Sequence, residues 1–276
     1  MKRTLHIVTV TLVMVVAIGG PAAGENTEIT GIIGAFGDEV ALIRAILEEP
    51  EEQAILGIVY VTGELGGRRI VLTRSGVGKV NAAAATILLI EHFHPAEIIF
   101  TGIAGGINPE LRPGDIVIAG RTAQHDLGDL TADGLRARGV RNPVDGVRNP
   151  VYIPADSGLV ALATSAATRI DLEEITVAGT AWIPRVVHGT VVSGDVFVAS
   201  SEKKRELRAS HDADAVEMEG AAVAQVCFQQ RVPCLVIRSL SDSADESARS
   251  DFETFRRTAA RNSAMLVVEM VKMLGE

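Results

Sequence analysis

The chain has 276 residues, of which 47% are hydrophobic, 22% charged and 4% aromatic, and it carries a net charge of −9. That length suits one large α/β domain, since strands alternate with helical patterns and no linker-like run divides them. The acidic balance excludes a nucleic-acid surface and the few aromatic rings exclude a stacking platform for single strands, which leaves a small molecule as the expected partner.

Residues 1–24 read as a secretory signal peptide: Lys2 and Arg3 form a basic start, 5–18 an apolar core, and Gly19-Gly-Pro-Ala-Ala-Gly24 a small-residue cleavage site. The apolar run falls short of the ~20 residues that span a bilayer, and no Cys follows it for lipidation. The expectation is export, with the single domain over 25–276 free of the membrane once processed.

The spacing predicts a strand over 30–36, then a helix opened by Asp38-Glu39 and running to about 47. Glu39 either favours the helix dipole or serves a ligand at a strand's carboxyl end. Two strands over 54–67 and 68–75 are joined at Gly66-Gly67. Gly76-Val-Gly78 opens an Ala-rich helix over 79–94, where a lone G-x-G is a weak phosphate signal and close packing is the simpler use. A strand over 97–101 ends in the turn Gly102-Ile-Ala-Gly-Gly106, whose backbone can approach a ligand closely.

From 124 to 154 the periodicity dissolves, and Val140-Arg-Asn-Pro-Val144 recurs as Val147-Arg-Asn-Pro-Val151. A loop this long is functional, mobile or both. His125-Asp126 at its start suits a structural or subunit-contact role. Helices follow over 157–170 and 202–210, with a strand over 187–193 between them. Ala215-Val-Glu-Met-Glu219 then leads into an apolar helix ending near 229. Glu217 and Glu219, two apart, must point in different directions; Glu219 answers either ligand hydroxyls or a salt bridge. Cys227 and Cys234 read as small buried apolar residues, and two thiols make no zinc site.

The run over 235–245 begins as a buried strand and breaks into Arg238-Ser-Leu-Ser-Asp242, at the strand end where open α/β sheets bind ligands. Asp242 serves either chemistry there or the cap of the final helix, 251–274.

Six motifs fall in one order: Gly31-Ile-Ile-Gly-Ala-Phe-Gly-Asp-Glu39, Ser75-Gly-Val-Gly-Lys79, Thr101-Gly-Ile-Ala-Gly-Gly106, Ser193-Gly-Asp-Val-Phe197, Val216-Glu-Met-Glu219 and Ser241-Asp242. In that order the chain resembles the 5′-methylthioadenosine/S-adenosylhomocysteine nucleosidases of the purine and uridine phosphorylase superfamily. The resemblance implies a three-layer α/β/α sandwich around a mixed, barrel-like sheet, usually dimeric. It implies hydrolysis of the N-glycosidic bond of a purine nucleoside, releasing adenine and a 5-substituted ribose without metal or cofactor. Asp242 would protonate the base at N7, and Glu39 would activate water with Arg238 nearby. Glu219 would bind the ribose hydroxyls, with Met218 against the sugar. Phe197 would stack on the base, the Val198 backbone would read its edge, and Phe252 would close the pocket. Ser241 belongs to the Asp242 motif.

Ile103 stands where these nucleosidases commonly have Ser or Thr, which removes a hydroxyl from the site and disfavours phosphate as the nucleophile. The 5′ substituent, and hence the choice among methylthioadenosine, S-adenosylhomocysteine, 5′-deoxyadenosine, adenosine and futalosine, stays open because 124–154 departs from the family. A phosphate-dependent phosphorylase and a non-catalytic exported nucleoside-binding protein are the alternatives. An exported, periplasmic homodimer is the expected form.

Overall fold

The computed structural model describes residues 28–177 and 179–276. The predicted signal peptide, 1–24, lies outside the described residues. Among those described, no helix is long and apolar enough to cross a membrane.

In chain order, β1 (Ile29–Gly34) leads into α1 (Gly37–Ile46), and β2 (Glu48–Ile55), β3 (Ile58–Leu65) and β4 (Arg68–Arg74) form an antiparallel meander. Next come α2 (Lys79–Phe93), β5 (Glu97–Gly106) and β6 (Ile116–Gln124). The short strands β7 (Gly128–Thr131), β8 (Gly134–Ala137) and β9 (Tyr152–Pro154) precede α3 (Ser157–Ala167). A small hairpin, β10 (Ile175–Val177) and β11 (Thr180–Trp182), precedes β12 (Val186–Ser193), α4 (Ser201–His211) and β13 (Ala215–Glu217). The chain ends with α5 (Gly220–Gln230), β14 (Cys234–Asp242) and α6 (Ala248–Gly275).

The main sheet has the order β13-β12-β6-β14-β5-β1-β4-β3-β2. β13 also pairs antiparallel with β5, Ala215 opposite Gly106 and Val216 opposite Gly105, so β5, β14, β6, β12 and β13 close into a barrel. Alternation along the central strands builds the layers on either side. Ile32, Ile99, Leu235 and Ile237 face one core with α1, α3 and α6. Ile33, Ile98, Phe100 and Val236 face the other, with α2 and α5. Burying each such side chain contributes about 1.5–3 kcal/mol.

Three expectations are corrected. The predicted strand over 54–67 is two strands, β2 and β3, turning at Leu56 and Gly57. β2 was hidden because its Glu-rich sequence is that of an exposed, charge-blunted edge strand rather than an apolar alternation. The glycine run 102–106 is no turn; it completes β5, buried along its whole length. The segment 124–154 is not structureless either: β7 pairs with β8, β9 with β6, and the two repeats fold against each other through an Arg141–Arg148 bridge. Asn142 and Asn149, the same position in the two repeats, are both buried there. Cys227 and Cys234 are free and buried, as expected.

Candidate active site

The carboxyl ends of β1, β5, β12, β13 and β14 converge on a cavity of about 690 Å³. From the predicted set, Glu39, Ile103, Ser241 and Asp242 line it on one part of its wall. Phe197, Val198, Met218, Glu219 and Phe252 complete the predicted lining. Arg238 alone does not reach it.

Glu39 sits in the first turn of α1, and its side chain turns back on the chain that enters the helix. One carboxylate oxygen accepts the Ala35 and Phe36 N–H groups, the latter at 3.2 Å. The other accepts the Ile103 N–H at 3.0 Å. Burial pushes its pKa above the usual carboxylate value, against the Arg238 charge and these three amides. Gly102 leaves the room that Glu39 occupies, because a Cβ would lie 2.5 Å from Glu39 Oε1 and force the carboxylate to shift.

Asp242 ends β14 with 2% of its surface exposed. It accepts the Ala244 N–H on Oδ1 and the Ser241 hydroxyl on Oδ2, both at 2.8 Å. It does not cap α6, which begins six residues later at Ala248. Burial raises its pKa, opposed by those two hydrogen bonds. Gly105 makes room for it, since a Cβ there would stand 2.9 Å from Asp242 Oδ1.

Glu217 and Glu219 diverge as their spacing requires, and the structure assigns the salt bridge to Glu217. Arg238 Nη2 donates to Glu217 Oε2 at 2.7 Å, and the guanidinium lies 4.0 Å from the Phe100 ring centroid. Arg238 Nη1 donates to the carbonyls of Phe100 and Ile237 at 3.1 and 2.9 Å. Glu217 further accepts the Ser193 hydroxyl and the N–H groups of Glu219 and Gly220. Arg238 is thus committed to Glu217 and to two backbone carbonyls; it makes no hydrogen bond to Glu39, which its charge nevertheless reaches. Glu219 faces the cavity and accepts the Gly78 N–H at 2.7 Å. Burial and the neighbouring Glu217 charge push its pKa up to about 8.

Phe197 meets Phe252 edge-on, centroids 6.0 Å apart at 88°, and Phe252 lies 6.4 Å from Phe36. The sequence reading missed Phe36, Val77 and Val196 as lining residues, and Arg249 and Arg256 at the start of α6. Phe36 and Val77 stood inside motifs already singled out; the arginines carried no local signal. Among the described residues, no cluster of three or more His, Cys, Asp or Glu could hold a metal ion.

The phosphorylase superfamily model matches residues 29–272. The 5′-methylthioadenosine/S-adenosylhomocysteine nucleosidase of Psychromonas ingrahamii is 40% identical over 246 residues, covering 89% of this chain and 99% of that protein. A crystal structure of the corresponding nucleosidase from Neisseria meningitidis, in complex with methylthio-immucillin-A, superposes with a TM-score of 0.77 at 40% identity, covering 89% of this chain and 99% of that one. The futalosine hydrolase of Helicobacter pylori superposes with a TM-score of 0.75 at 31% identity, covering 90% and 98%.

Proposed function

The chain belongs to the 5′-methylthioadenosine/S-adenosylhomocysteine nucleosidase family of the phosphorylase superfamily, and from that premise we propose that it hydrolyses the N-glycosidic bond of an adenine nucleoside bearing a 5′ substituent. Water adds to C1′ as the C1′–N9 bond breaks, and the bonding pair leaves with adenine. Asp242 gives its proton to N7 of the base, and Glu39 takes one from the water, so the products are neutral adenine and a 5-substituted ribose. A carboxyl whose pKa burial raises, so that it holds its proton to higher pH than a free aspartate, suits the first role. A carboxylate made more basic by burial suits the second.

Glu39 meets β5 at Gly102 and Asp242 meets it at Gly105, so the two acids stand at separate places, one for the water and one for the leaving group, the division of labour of an inverting glycosidase. Glu219 holds the ribose hydroxyls, Met218 packs on the sugar, and Phe197 with Phe252 encloses the base. Carboxylates near the sugar also favour its oxocarbenium-like transition state.

One observation carries hydrolysis over phosphorolysis. The amides of Ala35, Phe36 and Ile103 form the kind of nest that binds anions, and the Glu39 carboxylate already fills it. Ile103 brings no hydroxyl beside it, and a phosphate there would meet a like charge. The test is adenine release from methylthioadenosine, S-adenosylhomocysteine and futalosine by purified protein, with and without phosphate. Phosphate-independent release of base is expected; release only with phosphate refutes the proposal.

We also infer export to the periplasm and homodimer formation. Export rests on the pattern of 1–24 and is tested by cell fractionation, a cytosolic enzyme being the contrary result. The dimer is supported by exposed apolar side chains: Val80 and Ile87, one face of α2, and Phe228 on the adjoining α5. Light scattering after gel filtration gives its mass.

A further inference from the structure

Asp126, from the His125-Asp126 pair expected to serve a structural or subunit-contact role, closes a ring of charges beside the cavity. Asp126 Oδ1 accepts Lys79 Nζ at 2.5 Å, and its Oδ2 accepts the Asp195 N–H at 2.9 Å. Asp195 Oδ1 accepts the Lys79 N–H at 2.8 Å, and its other oxygen lies 3.9 Å from Lys79 Nζ. Asp195 thereby caps α2 from a different loop, since Gly78, the N-cap residue itself, has no side chain to offer.

What the ring joins is specific. Lys79 follows Gly78, whose N–H holds Glu219. Asp195 stands two residues before Phe197, which shares the cavity wall with Val198. The junction is also packed tightly. The His125 N–H donates to the Ser193 carbonyl at 2.9 Å, and the His125 ring fills the space where a Cβ on Gly194 would lie only 2.3 Å from Nε2. The Gly194 N–H in turn donates to the Glu217 carbonyl at 3.1 Å. Burial alone would raise the Asp126 pKa; the Lys79 and Asp195 hydrogen bonds outweigh it and hold the group below its ordinary value.

We infer that Asp126 is a positioning residue for the reaction. It fixes the 76–79 segment, which orients Glu219 against the sugar, relative to the 195–198 segment, which encloses the base. The inference rests on the proposed binding of an adenine nucleoside in this cavity. With the clamp open, the 195–198 wall no longer holds the base firmly and base and sugar contacts no longer match one rigid nucleoside, so binding shared by ground and transition states is lost.

The test uses the full mature chain with Asp126→Ala, Lys79→Met and the double variant. It reads adenine Kd by calorimetry, KM and kcat for the best substrate, and the thermal midpoint. Each single variant is expected to weaken adenine binding and raise KM about tenfold with kcat changed about threefold or less. The double variant is expected to be no worse than either single, because both open the same ring. Should Asp126→Ala fail to fold, Asp126→Asn keeps the shape without the charge and carries the same split. A lowered thermal midpoint with adenine Kd and KM unchanged makes Asp126 a structural cap only and overturns the inference. Multiplying effects in the double variant overturn it as well. Adenine binding needs no turnover, so a parent protein that binds adenine yet hydrolyses nothing refutes the proposed activity and leaves this test standing. A parent that does not bind adenine overturns both.

Discussion

Glu39, Glu219 and Asp242 carry the same functional group into one cavity, and their neighbours separate them. Burial raises both glutamates: at Glu39 three amides and the Arg238 charge oppose it, and at Glu219 one amide and the Arg238 charge oppose burial and the Glu217 charge, which together push it up to about 8. Asp242 is held by one amide and one hydroxyl. Asp242→Asn, nearly isosteric, is expected to lower kcat by about 10²–10⁴-fold with the thermal midpoint nearly unchanged, read by an adenine-release assay. Arg238 makes the opposite case. Removing it by Arg238→Met strands Glu217 in the interior and is expected to cost about 3–5 kcal/mol in a urea melt. The acids and the arginine were all legible as residues, because strand ends in α/β sheets are where ligands bind. Their pairing was not. Nothing within the run 215–219 distinguishes the glutamate bonded to Arg238 from the one bonded to the Gly78 N–H; residues 78 and 238 decide it.

At the scale of elements, β5 shows why a glycine run can belong to a strand. The glycines at 102 and 105 leave the volume that two carboxylates occupy, so the strand continues while its side-chain space is given to Glu39 and Asp242. Gly102→Ala is expected to displace Glu39 and lower kcat at least about tenfold, with smaller effects on adenine binding, measured by turnover and calorimetry. Sequence alone reads such a run as a turn, because glycine lowers strand propensity and the compensating contacts come from Glu39 of α1 and Asp242 of β14, both far away in the chain. β2 was missed for the converse reason, its charges lying on an exposed edge with no core to impose alternation. The duplicated segment was visible as a repeat, but only pairing of its two copies shows that it forms a compact hairpin burying Asn142 and Asn149.

Across the whole molecule, burying acids makes stability depend on pH. A carboxyl whose folded pKa exceeds its unfolded value binds more protons in the native state between the two values, so stability is fully present below the unfolded value and falls as pH rises through the folded one. For Glu219 that window runs from 4.5 to about 8. The ligand-free protein is therefore expected to melt lower at pH 8 than at pH 5, and Glu219→Gln to flatten that difference, as followed by circular dichroism. By itself the sequence determined the α/β class, the central strands and the acids at their ends, because apolar periodicity and strand termini are local properties of the chain. Tertiary structure alone decided the closure of the barrel through β13 and β5, the partner of each glutamate and the ring through Asp126. Each of these joins residues far apart in the chain, and the free energy that selects such contacts resides in packing that no local pattern encodes.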